Sequence, residues 1–144
     1  MDREAIYDAL LELLATSNNF MYKSRKYLLW EETDSSQFPA LFILEGNEDY
    51  ETVRGVDIKI ILNCEAYIYI DNGNNNETYH FTELNKTLDK ITEIFKPDRL
   101  YGANQDLNGL VGSVTINGTI KKFGIDLNSN GAVAIIPIQI VCNH

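Results

Sequence analysis

The chain has 144 residues, of which 44% are hydrophobic and 23% are charged, and its formal net charge at pH 7 is −9. This length fits one domain that can bury a hydrophobic core. The negative charge argues against a nucleic-acid-binding protein and against docking on anionic lipid, since both need a basic face. The charged N-terminus and the absence of an apolar run near the roughly 20 residues of a membrane span lead us to expect no signal peptide and no membrane anchor.

A helix is predicted at the start of the chain. Apolar residues recur at helical spacing from Ile6 to Leu14, and Asp2 can cap the helix N-terminus. The polar cluster at residues 16–19 is expected to end it. The elements predicted next are a strand at residues 20–29, a polar loop at residues 30–38, a strand that Pro39 opens, and an acidic turn or strand extension at residues 46–53.

The clearest strand is predicted at residues 58–70. Every even-numbered residue from Ile58 to Ile70 is apolar, whereas the odd-numbered residues are mostly polar or aromatic. Alternation with a period of two indicates a long strand with one buried and one wetter face. Cys64 then lies in the core. It could approach Cys142 across the sheet, but we interpret both thiols as small buried hydrophobic groups.

The second half of the chain is predicted to contain one helix and two strands. Large apolar residues recur at helical spacing through residues 79–95, and Pro97 stops this helix. An irregular segment follows, and strands are predicted at residues 111–122 and 132–141, joined by an Asn-Gly turn. We therefore expect one α+β domain over residues 1–144, with an antiparallel or mixed sheet of about five strands and both α-helices packed on one face.

Two features resemble chemical sites, but we interpret them otherwise. Residues 126–131 copy the first half of a calcium-binding loop, yet Pro137 stands where the loop needs Glu, and the flanks are strands. A hairpin turn is the favoured interpretation. His80 and His144 stand in no recognisable relation to a nucleophile or an acid. We expect no metal, no cofactor and no enzymatic activity.

Charged and aromatic residues supply the candidate contacts with other proteins. These candidates are the basic residues Lys23, Arg25 and Lys26, the acidic residues Glu48, Asp49 and Glu51, and the aromatic residues Trp30, Tyr67 and Tyr69. A second basic pair stands at Lys121 and Lys122. The acidic stretch could bind a cation, face a basic partner, or lie in solvent at a strand edge. The aromatic residues could anchor a protein contact, or be partly covered by a helix or by the irregular segment that ends at Leu107.

Several strand-like segments together resemble one protein family. The first segment is Trp30, a polar spacer, and then QFPALF and EGNE within residues 37–48. The others are GLV at residues 109–111, INGTI at residues 116–120 and AVAIIPIQI at residues 132–140. Together they resemble the tail terminator, or tail-completion, proteins of long-tailed bacteriophages. The resemblance runs from the first helix to the last strand.

This resemblance implies a structural virion protein that performs no chemistry. Members of that family form a ring, usually a hexamer, which caps the tail tube, stops its polymerisation and offers a surface to the head–neck complex. The partners it implies are further copies of the chain, the tail tube protein and a head–neck connector or stopper protein. It places the protein at the tail–neck junction of the virion, after assembly in the host cytoplasm.

The charge pattern is compatible with such a ring. A closed ring needs two different patches on each subunit, and the acidic and basic clusters are candidates for them. DNA would pass through the lumen without sequence-specific binding, which an acidic protein favours. The alternatives are another neck or tail component, such as a stopper or a tube-like protein, and a small-molecule-binding domain or enzyme without a recognisable motif.

Overall fold

The structure is a computed structural model that describes residues 1–53, 55, 57–72, 81–96, 105–125 and 130–143, with only the backbone described at positions 53, 57 and 143. These residues form a single-domain α+β fold with two α-helices and a six-stranded mixed sheet. In chain order, the elements are α1 (Arg3–Ala15), β1 (Tyr22–Ser24), β2 (Ala40–Val53), β3 (Asp57–Asp71), α2 (Thr82–Ile94), β4 (Ser113–Ile116), β5 (Lys121–Ile125) and β6 (Gly131–Asn143). The predicted fold class is therefore confirmed.

Helix α1 begins where the sequence predicts. The Asp2 side chain caps it by accepting a hydrogen bond of 3.1 Å from the Ala5 backbone N–H, which satisfies one of the free donors of the first turn. Its buried stripe consists of Ile6, Tyr7, Leu10 and Leu14. Helix α2 buries Leu84, Thr87, Leu88 and Ile91. Both helices therefore bury one face, as their apolar periodicity indicates.

The sheet is built around two long strands, β3 and β6. Its order is β1-β2-β3-β6-β4, and β5 also pairs with β6. β1 runs parallel to β2, whereas every other pairing is antiparallel. Leu62 faces Ile140 and Ile68 faces Ala134 across the β3–β6 pairing, so the apolar alternations of the two strands coincide on one face. That coincidence fixes the register, because a shift by one residue would expose the whole apolar set.

Both helices pack on this apolar face. The main core joins Leu10 of α1 and Ile91 of α2 to Leu62, Ile68 and Ile136 of the central strands. The predicted common core beneath the helices is confirmed. One member of the predicted stripe is wrong: Ile58 is 46% exposed, because it lies near the start of β3 opposite the exposed Thr52.

Two predicted elements differ from those observed, and a third, the acidic segment, takes one of its two predicted forms. The strand predicted at residues 20–29 is confined to β1, because the chain leaves the sheet edge after Ser24. The acidic segment at residues 46–53 belongs to β2 and continues it beyond a bulge between Glu45 and Glu48. The strand predicted at residues 111–122 is two strands, since Gly118 adopts a φ of 125° that breaks extended pairing between β4 and β5.

Candidate subunit interface

Arg25 lies at the centre of a charged cluster that joins α1 to β2. Its Nη1 atom lies 2.7 Å from Glu4 Oε2 and 3.2 Å from Asp8 Oδ1, and its Nη2 atom lies 2.6 Å from Glu45 Oε2. The guanidinium group also lies over the buried ring of Tyr7, 5.5 Å from the ring centroid. Its side chain is only 20% exposed. The charge of Arg25 is thus balanced within the chain, although the sequence suggested a contact with another subunit.

Glu48 also has its charge partner within the chain. Arg3 Nε and Nη2 each lie 2.8 Å from a Glu48 carboxylate oxygen, and Nη2 donates a further hydrogen bond of 2.9 Å to the Tyr50 hydroxyl. These hydrogen bonds hold the pKa of Glu48 below its usual range, as those from Arg25 do for the pKa of Glu4. Glu48 therefore ties β2 to the start of α1.

The two lysines of the basic cluster differ in their surroundings. Lys23 Nζ lies 3.2 Å from both carboxylate oxygens of Glu12 on α1, and both side chains are well exposed. Such an exposed pair stabilises little. Lys26 is exposed, and its backbone N–H donates to Ser24 Oγ at 2.9 Å. Lys26 is thus the member of the cluster that solvent or a partner can reach most freely.

Asp49 and Glu51 point to the opposite face of β2 from Glu48. Asp49 Oδ2 accepts a hydrogen bond of 2.8 Å from the Asn63 side-chain amide, a neutral donor. Glu51 lies 3.9 Å from Lys59 Nζ, at the outer limit of an ion pair, and its side chain is 54% exposed. Among the described residues, neither carboxylate has a close cationic partner, so both keep charge available to another subunit.

The two predicted interface tyrosines pack against other parts of the chain. Tyr69 is 3% exposed, packs against Phe42 with ring centroids 5.0 Å apart, and donates a hydrogen bond of 2.7 Å to the Leu28 carbonyl. Burial raises its pKa. Tyr67 is partly buried and makes an edge-to-face contact with Tyr27 at 4.9 Å. This face of β3, predicted to be the wetter one, is covered at both tyrosines by residues 22–38, which form a second core there, rather than by a helix or by the segment before Leu107.

Trp30 belongs to the same second core. Its indole packs against Phe38 at 4.6 Å and Tyr69 at 5.4 Å between ring centroids. It lies on a short 3-10 turn that folds over the sheet, rather than on an open loop. Its aromatic contacts within the chain account for its position without a partner.

The sheet has two unlike edges. The outer edge of β2 pairs with β1 at residues 40–42, and within the described chain its remainder has no strand partner. At the other edge, β5 pairs with β6 on one side and exposes Lys121, Lys122, Phe123 and Gly124. The sequence patterns did not assign β5 to the interface. The adjacent lysines at positions 121 and 122 were the one feature of the sequence that could have indicated it. Their location at a sheet edge depends on the pairing of β5 with β6, which the sequence does not show.

A surface cavity of about 350 Å³ lies beside the β2 bulge. Asn63 lines it, and its side-chain amide donates hydrogen bonds to the Asn47 carbonyl at 3.1 Å and to Asp49 at 2.8 Å. Its lining combines polar and apolar surface and consists of Gly46, Asn47, Asp49, Asn63, Cys64, Glu65, Asn117, Pro137 and Ile138.

The described ranges contain no group of three or more His, Cys, Asp or Glu side chains that could hold a metal ion. His80, His144 and residues 126–129 of the calcium-like loop lie outside those ranges. Cys64 and Cys142 are free and buried, and burial raises the pKa of the Cys64 thiol to about 12, which disfavours the reactive thiolate. Among the described helices, neither has the length and apolarity needed to cross a membrane.

No protein-family model matches the chain, and no curated protein matches it.

Proposed function

We propose that this chain is a phage tail terminator that caps the tail tube as a homo-oligomeric ring, ends tube polymerisation and forms the tail side of the head–tail joint. The resemblance that suggests this role includes QFPALF and AVAIIPIQI, which contribute to β2 and β6 of the sheet. A hexamer is the ring size that the resemblance favours. The expected partners are the tail tube protein and a head–neck connector or stopper.

The observation that carries this proposal is the sheet with two unlike edges. A ring of identical subunits requires a head-to-tail interface, in which one patch of each subunit meets a different patch of its neighbour. The exposed acids of β2 and the exposed lysines of β5 supply two such patches. The net charge of −9 further suits a lumen through which DNA must pass without binding.

The decisive experiment compares phage particles assembled with and without the protein. We expect particles that lack it to carry tails of abnormal length that do not join heads, and we expect the purified chain to stop the growth of tail tubes in vitro. A deletion that still yields joined tails of normal length would overturn the proposal. Tails of normal length that stay separate from heads would instead indicate the alternative role of a stopper.

Native mass measured at several protein concentrations gives an independent check. A defined ring, alone or on added tail tubes, supports the terminator role. A strict monomer that binds a metabolite would support the remaining alternative, a small-molecule-binding domain or an enzyme.

A further inference from the structure

We infer that the acidic edge of one copy pairs with the basic edge of the next copy and thereby extends the sheet from subunit to subunit. The acidic edge is the outer side of β2 at residues 48–53, with Asp49 and Glu51, and the basic edge is the outer side of β5, with Lys121 and Lys122. This inference deepens the proposed function. It rests on the proposed function for one point, that the paired subunits close into a ring.

Among the described residues, the acidic edge has no strand on its outer side, and it carries charge that they cancel only in part. Within the described residues, β2 pairs with β3 on its inner side and has no strand on its outer side beyond residue 42. Unpaired backbone N–H and C=O groups at such an edge can receive another strand. Glu48 is neutralised by Arg3, whereas Asp49 receives only a neutral amide and Glu51 only a distant lysine.

The basic edge has the complementary properties. Lys121 is exposed, and no described carboxylate lies within ion-pair distance of it. Lys122 contacts the Asn85 side-chain oxygen at 3.1 Å and the Phe81 ring at 5.3 Å, so it also keeps an uncancelled charge. Phe123 is 49% exposed and adds apolar surface that pairing could bury.

Asp49 and Lys121 lie on the same face of the sheet, whereas Lys122 lies on the opposite face, beside α2. Asp49 pairs with Ile61, which in turn pairs with Val141 of β6. Lys121 pairs with Ile135, which lies six positions before Val141 in the same strand. Residues separated by an even number along a strand share a face, so Asp49 and Lys121 share one too. In a sheet that continued from β5 of one copy to β2 of the next with the same face kept throughout, Asp49 and Lys121 would therefore project from a common face, where they can attract one another.

The charge pattern also selects which edges pair. Two acidic edges repel one another, as do two basic edges, whereas an acidic edge attracts a basic one. Like-with-like pairing would give a closed two-fold dimer, and unlike pairing gives a head-to-tail array that can close into a ring. The occupant of each edge is thus a second copy of this chain in head-to-tail orientation.

Charge reversal at each edge tests the pairing. Glu51→Lys and Lys121→Glu, each made in the full chain, should weaken self-association by on the order of tenfold in Kd per interface, measured by sedimentation velocity at several concentrations. The effect should shrink near 1 M salt, where the screening length falls to about 3 Å. Asp89→Lys and Lys90→Glu on the exposed side of α2 change the net charge equally and should leave association unchanged.

Mixing the two edge variants gives the sharpest test. In an alternating array, the Lys at position 51 of one variant meets the Glu at position 121 of the other, and each remaining interface has its original charges. An equimolar mixture, or the double variant, should therefore recover the association of the original chain. If Glu51→Lys binds the original chain more tightly than the original chain binds itself, acidic edges pair with each other and the inference is wrong.

Two further outcomes would contradict the inference. If both edge variants behave like the α2 controls, or if the original chain stays monomeric at every concentration, the edge pairing is overturned. Tail length and head joining in particles that lack the protein test the proposed function separately, so a failed edge pairing leaves that measurement intact.

Discussion

The indole of Trp30 lies so close to Gly131 that a β-carbon at position 131 would approach ring atoms Cη2 and Cζ2 to 2.5 Å. This contact joins the 3-10 turn before β2 to the first residue of β6. Only glycine fits there without movement of the ring. Because Trp30 also packs against Tyr69, the contact helps to hold residues 22–38 on the second face of the sheet.

Gly131→Ala should destabilise the protein by about 1–3 kcal/mol, the usual consequence of adding a methyl group to a packed site. Trp30 is the only tryptophan, so its fluorescence should report the displacement of the ring directly. In a Trp30→Leu background the same substitution should cost less, because the clashing ring atoms are gone. Equal losses in the two backgrounds, measured by urea unfolding, would contradict this account of the contact.

Leu62→Ala should lower the free energy of unfolding by about 2–5 kcal/mol, because Leu62 is fully buried in the main core between the two helices and the sheet. Ile58→Ala in the same strand is a matched control. Ile58 is largely exposed, so its truncation should change stability by no more than about 0.5 kcal/mol. A small loss at position 62 would show that the helices cover the other face.

Acid should weaken the links between α1 and β2. Hydrogen bonds from Arg25 lower the pKa of Glu4, and those from Arg3 lower the pKa of Glu48. A carboxyl group with a lowered folded-state pKa stabilises the protein above its unfolded-state pKa, and that stabilisation is lost as the pH falls through the folded-state value. We therefore expect unfolding midpoints in urea to decrease below about pH 5.

Arg25→Gln tests whether these pairs cause the acid sensitivity. It should flatten the pH dependence between pH 5 and pH 3, since Glu4 returns toward its ordinary pKa. Lys86→Gln, which removes an exposed pair with Glu83 on α2, is the control and should leave the pH dependence nearly unchanged. An unaltered pH profile in the Arg25 variant would locate the acid sensitivity elsewhere.

Calcium should leave the melting temperature unchanged at millimolar concentration, and so should a chelator. A calcium loop needs Glu at the position that Pro137 occupies. Pro137 lies in the interior of β6, where it pairs with Glu65 of β3. Magnesium at the same ionic strength serves as the control. A rise of several degrees with calcium alone, as expected for a ligand that binds only the native state, would contradict this prediction.

Several elements could be predicted because their signals are local. Helix α1 shows both its apolar stripe and its capping residue in consecutive sequence, and β3 shows a sustained period of two. The candidate interface was harder to predict. Lys23, Arg25 and Lys26 form one cluster in sequence, yet Arg25 binds three carboxylates within the chain while Lys26 stays exposed.

The sequence by itself determined the fold class, both helices and the apolar face of the central strands, because periodicity depends only on the spacing of neighbouring residues. The tertiary structure decided what covers Tyr69, which acids remain uncancelled and where β5 lies. These properties depend on contacts between residues far apart in the chain. Glu45 meets Arg25, and Lys121 reaches a sheet edge, only after the strands have paired and the helices have docked.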